Sequence, residues 1–102
     1  MKISDIRIEY SLKSLTLNEV LDDPLQQFEV WFTEALASEV MEPNAMNIAT
    51  VRPNGTPNSR IVLLKGIDKG LIFFTNYESS KGKELELNPN IAVTFFWPEL
   101  ER

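Results

Sequence analysis

The chain has 102 residues, 43% hydrophobic and 25% charged, with a formal net charge of −5, the size and balance of one small folded domain. The acidic balance argues against a nucleic-acid backbone as partner, which needs a net basic footprint, but leaves room for a local basic pocket. There is no cysteine and no histidine, which excludes disulfides, thiolate or imidazole metal ligands and any His-dependent triad within the chain, and no apolar run approaches the roughly 20 residues of a membrane helix.

Residues 1–21 mix charges with isolated apolar positions and read as an N-terminal arm, in which Arg7-Ile8-Glu9-Tyr10 forms either one helical turn or an ordered extension. Its start, Met1-Lys2-Ile3-Ser4-Asp5, lacks the apolar core of a signal peptide; together with the missing cysteines this suits a cytoplasmic location. A helix is predicted from about Pro24 to Val40. Asp22 and Asp23 supply capping carboxylates, and Pro24 suits the first helical position. Leu25, Phe28, Trp31, Phe32, Ala35 and Leu36 draw one apolar stripe, expected to lie against a sheet, and Met41-Glu42-Pro43 is expected to end the helix.

From Asn44 onward the pattern is that of strands. Ala45 to Val51 is the first, Pro53-Asn54-Gly55 a turn, and Asn58 to Leu64 the second, so the pair reads as an antiparallel hairpin. Gly66 to Gly70 turns the chain, and Leu71 to Thr75 is the third strand. A short helix from about Ser79 to Leu87 ends at Asn88-Pro89, and Ile91 to Trp97 is the fourth strand. Short strands with tight turns favour a sandwich or barrel. Four strands do not close a barrel, and the last would be apolar and unpaired on one side. The expectation is a chain that is truncated or that needs more protein to finish its sheet.

One constellation points to chemistry. A phosphate needs positive charge and several donors at fixed distances: arginine offers a planar fork, lysine a point charge, and a helix start free backbone N–H groups. Arg60 opens the second strand, Thr75 closes the third, and Ser79, Ser80 and Lys81 stand at the start of the short helix. Antiparallel pairing of the two strands would bring Arg60 and Thr75 together. Period-2 alternation puts Arg60 and Lys65 on opposite faces if the strand is regular, serving different groups; otherwise a bulge re-aims one of them. Taken singly, Arg60, Lys65 and Lys81 read as solvated surface charges. The aromatic residues Phe73, Phe74, Phe95, Phe96 and Trp97 read as core.

The run Arg60-Ile61-Val62-Leu63-Leu64-Lys65 resembles the flavin-binding strand of the pyridoxine/pyridoxamine 5′-phosphate oxidase family. So do, in order, Glu42-Pro43-Asn44-Ala45-Met46, Phe74-Thr75-Asn76-Tyr77-Glu78-Ser79, Lys81-Gly82, Asn88-Pro89 and Phe95-Phe96-Trp97-Pro98-Glu99-Leu100-Glu101-Arg102. Arg7-Ile8-Glu9-Tyr10 is similar to that family's substrate-contacting Arg-Arg-Glu-Tyr segment, with Ile8 in place of the second arginine. The resemblance covers nearly all of this chain and about the first half of a typical family member.

It implies an α+β fold: an antiparallel split β-barrel of the FMN-binding type, incomplete in this chain, with the N-terminal helix packed on the sheet. Residues 1–21 would be a substrate-closing arm and 22–102 the N-terminal part of one split-barrel domain. FMN would sit at the interface of a homodimer. By the same carry-over Arg60, Ser80 and Lys81 stand at its phosphate with the Thr75 hydroxyl. Backbone groups of Ile61, Val62, Leu63, Leu64 and Phe74 would line the flavin. Lys65 would border the cofactor and hold the phosphate of a pyridine substrate, and Arg7 and Tyr10 would close over that substrate. The implied reaction oxidises pyridoxine 5′-phosphate or pyridoxamine 5′-phosphate to pyridoxal 5′-phosphate with O2, in vitamin B6 metabolism. No catalytic side chain and no metal is implied, and neither nucleic acid nor membrane is a partner.

Ser80 stands where the family usually has an arginine, which removes a charged contact of about 1.5–3 kcal/mol, and Phe74 replaces a common tyrosine. The later barrel strands and an Arg-x-His substrate segment of the family are absent. Two competing readings are a non-catalytic split-barrel module that binds flavin or pyridoxal phosphate or merely dimerises, separated by binding without turnover, and a flavin reductase, separated by faster reduction with NADPH than with pyridoxine phosphate.

Overall fold

Asp23 and Pro24 start the first helix as the sequence predicts. In the computed structural model, which describes residues 2–75 and 79–102 (Ser80 and Lys81 in backbone only), Asp23 is the N-cap and its side chain accepts the Leu25 N–H at 2.9 Å. Helix α1 spans Pro24–Ala37. It ends before Val40 because the chain turns at Glu39, whose φ is +56°, and the Val40 N–H reaches back to the Ala35 carbonyl at 3.2 Å. The chain forms two compact units: residues 2–40 with 97–102, and residues 41–96.

In the first unit, the rings of Phe28 and Phe32 on α1 stack at 5.8 Å, and both meet Trp97 at 6.0 and 6.2 Å. Trp97, Leu100 and Ala35 are buried. Leu36, assigned to the apolar stripe, is instead exposed, while Gln27 is buried because its side-chain oxygen accepts the Leu21 N–H at 2.7 Å. Residues 6–10 form no helical turn; the only regular piece of the described arm is a 3-10 turn at Ile3–Asp5. Beyond it the Glu101 carboxylate accepts the backbone N–H groups of Ser11 and Leu12, and Glu34 pairs with Arg102 at 2.8 Å and Lys13 at 3.7 Å.

In the second unit, β1 (Ala45–Val51) and β2 (Pro57–Leu63) make the predicted hairpin, with Ile48 opposite Arg60 and Thr50 opposite Asn58. Gly55 takes φ +86° in the connecting turn, a conformation that costs a residue with a Cβ. The chain then forms a two-stranded ribbon, β3 (Gly66–Ile67) with β4 (Leu71–Ile72). The segment expected to be only a turn therefore contains a strand, and the expected third strand shrinks to two residues. The Asp68 N–H closes the ribbon by donating to the Gly70 carbonyl at 2.9 Å. Helix α2 covers Ser80–Leu87 and β5 covers Ala92–Thr94. The fourth strand is shorter than predicted because the chain leaves the ladder after Thr94, and Trp97 and Arg102 then close a turn on each other through both backbone N–H groups.

The main sheet is antiparallel in the order β2-β1-β5. Alternation along β1 buries Met46, Ile48 and Thr50 on one face, and within this unit α2 is the helix that packs there. The other face leaves Ile61 64% exposed and Leu63 40% exposed. The architecture is α+β with antiparallel sheets and, among the described residues, no closed barrel. No helix of the described residues is long and apolar enough to cross a membrane.

Candidate functional site

Because Ile48 pairs with Arg60, the guanidinium leaves β2 on the same face as the buried β1 residues, the side on which α2 lies. It lines a cleft of about 350 Å³ with Val62, Leu63, Lys65, Phe74, Thr75 and Ser79, a volume suited to a small-molecule ligand. Arg60 and Thr75 therefore meet, though not by the expected pairing of their strands: β2 pairs with β1, and β4 pairs with β3. The link is at the strand end, where the Lys65 N–H donates to the Ile72 carbonyl at 2.7 Å.

Lys65 lines the same cleft as Arg60. The alternation argument does not reach it, because β2 stops at Leu63 and Lys65 lies in the break before β3. Among the described residues no carboxylate lies within ion-pair distance of Arg60 or Lys65. In a chain of net charge −5, two cations beside one cleft form a local basic patch.

Hydroxyls complete the donor set. Ser79 is the N-cap of α2, its Oγ accepting the Gly82 N–H at 3.1 Å and lying 3.4 Å from Thr75 Oγ1. Ser80 and Lys81 open the helix in backbone; their side chains, and Asn76, Tyr77 and Glu78 of the quoted motif, lie outside the described residues. A larger adjoining cleft of about 640 Å³ is bordered by Phe73, Phe74, Thr75, Gly82, Leu85 and Glu86.

Phe74 is 74% exposed, and Phe96 is exposed too, so neither belongs to the core. Phe74 borders both clefts instead. Ile61 and Leu64 are not among the described lining of the smaller cleft. Leu64 is buried, its N–H donating to the Asn44 carbonyl at 2.8 Å. Arg7 and Tyr10 belong to the other unit, both exposed, with Arg7 3.7 Å from Glu9. No group of His, Cys, Asp and Glu able to hold a metal occurs among the described residues.

The sequence reading missed Glu84. It is 5% exposed, accepts hydrogen bonds from the Thr50 hydroxyl and from Asn58 Nδ2 (3.0 and 3.2 Å), and lies 3.8 Å from Arg52 Nε. One signal was available: Thr50 continues the Met46, Ile48 alternation, and a polar residue at a core position calls for a buried polar partner.

Comparison with known proteins gives the family and the fold. Residues 32–102 match the family described as pyridoxamine 5′-phosphate oxidase. Proteins named pyridoxine/pyridoxamine 5′-phosphate oxidase are 54% identical in Chromobacterium violaceum, over 100% of this chain and 48% of that protein, and 58% identical in Leptospira interrogans, over 99% and 48%. The crystal structure of PhzG from Burkholderia lata in complex with tetrahydrophenazine-1-carboxylic acid superposes with a TM-score of 0.79 at 29% identity, covering 84% of this chain and 44% of that one. A pyridoxamine 5′-phosphate oxidase-related, FMN-binding protein from Nostoc punctiforme shares the fold, with a TM-score of 0.63 at 23% identity over 78% and 42% of the two chains.

An open antiparallel sheet with a cationic, hydroxyl-lined cleft at a helix start is the form of an incomplete FMN-binding split barrel. The chain belongs to the pyridoxamine 5′-phosphate oxidase family. It spans about half the length of the curated relatives it matches.

Proposed function

We propose that the protein carrying this chain holds FMN by its phosphate in the cleft of Arg60, Thr75 and Ser79. With it the protein oxidises pyridoxine 5′-phosphate or pyridoxamine 5′-phosphate to pyridoxal 5′-phosphate, O2 being the acceptor. The observation that carries this reading is the convergence on one cleft of two cations, which have no carboxylate partner among the described residues, and two hydroxyls, beside the apolar side chains of Val62 and Phe74. This donor set fits a phosphate joined to a flat apolar ring system: the fork and hydroxyls suit the anion, the apolar walls the ring. Bound FMN supplies the acceptor for the hydride that leaves the substrate.

The chain's residues bind and orient. Arg60 grips the cofactor phosphate, with Thr75, Ser80 and Lys81 as its neighbours in the family pattern. Lys65 serves the phosphate of the substrate. Arg7 and Tyr10, exposed on the arm, close over the substrate. The exposed Ile61 and Leu63 face of the sheet fits the homodimer that the family resemblance implies.

The test is made on the protein at its full natural length. Purified protein is expected to be yellow, to titrate with FMN, and to release pyridoxal 5′-phosphate and hydrogen peroxide in equal amounts from pyridoxine 5′-phosphate. Protein that never binds FMN overturns the reading; binding without turnover leaves a flavin-binding module in its place.

A further inference from the structure

We propose that Glu84 is a positioning residue for the phosphate end of the cleft: it fixes the rotation and height of α2 on the sheet, so that the helix's first turn faces Arg60 and Thr75. The inference rests on reading that cleft as the FMN phosphate site.

Ties from both strands of the hairpin and from its turn meet on this one carboxylate. Thr50 on β1 and Asn58 on β2 donate to it, and Arg52, from the turn between those strands, stands 3.8 Å away. Thr50 and Asn58 are themselves cross-strand partners, so the carboxylate reads the sheet at a defined register. Two residues further along β2 on the same face is Arg60, and one turn back along α2 is its first turn, Ser80–Gly82. The N-cap hydroxyl of Ser79 then approaches Thr75 at 3.4 Å. The helix is thus held at two points, one buried and one beside the cleft.

Burying a carboxylate is an inefficient way to gain stability. Its desolvation cost commonly equals or exceeds what its partners return, and an apolar side chain would pack at lower cost. Directional hydrogen bonds achieve what apolar packing does not: they single out one orientation of a short helix. With eight residues, α2 has too few turns to hold an orientation by its own cooperativity.

Glu84→Ala, Glu84→Gln and Asn58→Ala, made in the full-length protein, are titrated with FMN, and the 31P resonance of the bound cofactor is recorded at saturation. Glu84→Ala is expected to raise the FMN Kd about tenfold and to move the bound 31P resonance toward that of free FMN. Glu84→Gln, whose amide oxygen still accepts from the sheet, is expected to recover most of both. Should Glu84→Ala not fold, Asn58→Ala removes a single tie and is expected to give a smaller change of the same kind, about threefold. A bound 31P resonance that stays at the wild-type position in the folded variants overturns the proposal, even where the melting temperature falls, because the helix would then be stabilised but not aimed. Wild-type protein that does not bind FMN overturns the reading of the cleft and this inference with it; wild-type binding matched by an unchanged Glu84→Ala overturns this inference alone.

Discussion

At the scale of single residues, Arg60 and Lys65 line one cleft, and the proposed function gives them two different anions. Neither has a carboxylate within ion-pair distance among the described residues. Arg60 belongs to a strand whose register fixes its face, and its fork can meet two phosphate oxygens at once. Lys65 stands in the break after that strand, held by a backbone bond to Ile72. Arg60→Ala is therefore expected to weaken FMN binding by about tenfold or more, as loss of a charge-assisted contact does. Lys65→Ala is expected to raise the KM for pyridoxine 5′-phosphate while changing the FMN Kd by less than about twofold. Flavin titration and steady-state kinetics on the same preparations check both. Equal losses of FMN affinity in the two variants would contradict the division.

At the scale of elements, legibility in the sequence followed how far each signal was local. The bounds of β1 and the start of α1 were readable because Asp23-Pro24 and the apolar alternation from Met46 act within a few residues. The β3-β4 ribbon was not: each strand is two residues long, too short for any period, and Gly66 and Gly70 look like turn residues whether or not their neighbours pair. Arg60, Lys65, Thr75 and Ser79 were found by residue type and do share a cleft, but the strand pairing expected to unite them was wrong. Phe74 was misplaced in the core because aromatic character alone does not tell a packed ring from one lining an open cleft. The hairpin turn gives a clean test of local backbone chemistry. A Cβ at Gly55 would meet nothing within 4 Å, so the cost of Gly55→Ala comes from its φ of +86° alone. The expected loss is about 1–2 kcal/mol of stability, read by urea denaturation. A variant as stable as wild type would show that this turn relaxes to another form.

At the scale of the whole molecule, the main sheet is open. Both β2 and β5 are edge strands among the described residues, and the face bearing Ile61 and Leu63 stays accessible. Unpaired edges and an exposed apolar face favour association with further protein. Residues 1–102 expressed alone are expected to self-associate with rising concentration, in light scattering or sedimentation velocity. Ile61→Lys is expected to shift that association to higher concentration. A monodisperse monomer at all concentrations would show that the face is tolerated in water. The net charge of −5 opposes such association over long range, so added salt is expected to strengthen it.

The Glu101 carboxylate, which accepts two consecutive backbone N–H groups at Ser11 and Leu12, has a consequence for how a protease meets the arm. Trypsin must draw several residues around its target bond into an extended strand. Around Arg7 the chain is exposed. Lys13 is likewise exposed and, like Arg7, has a carboxylate at 3.7 Å; what differs is that its two preceding amides are occupied by Glu101. Brief digestion followed by mass spectrometry should release the peptide ending at Arg7 well before any cut after Lys13, and Glu101→Ala should erase that order.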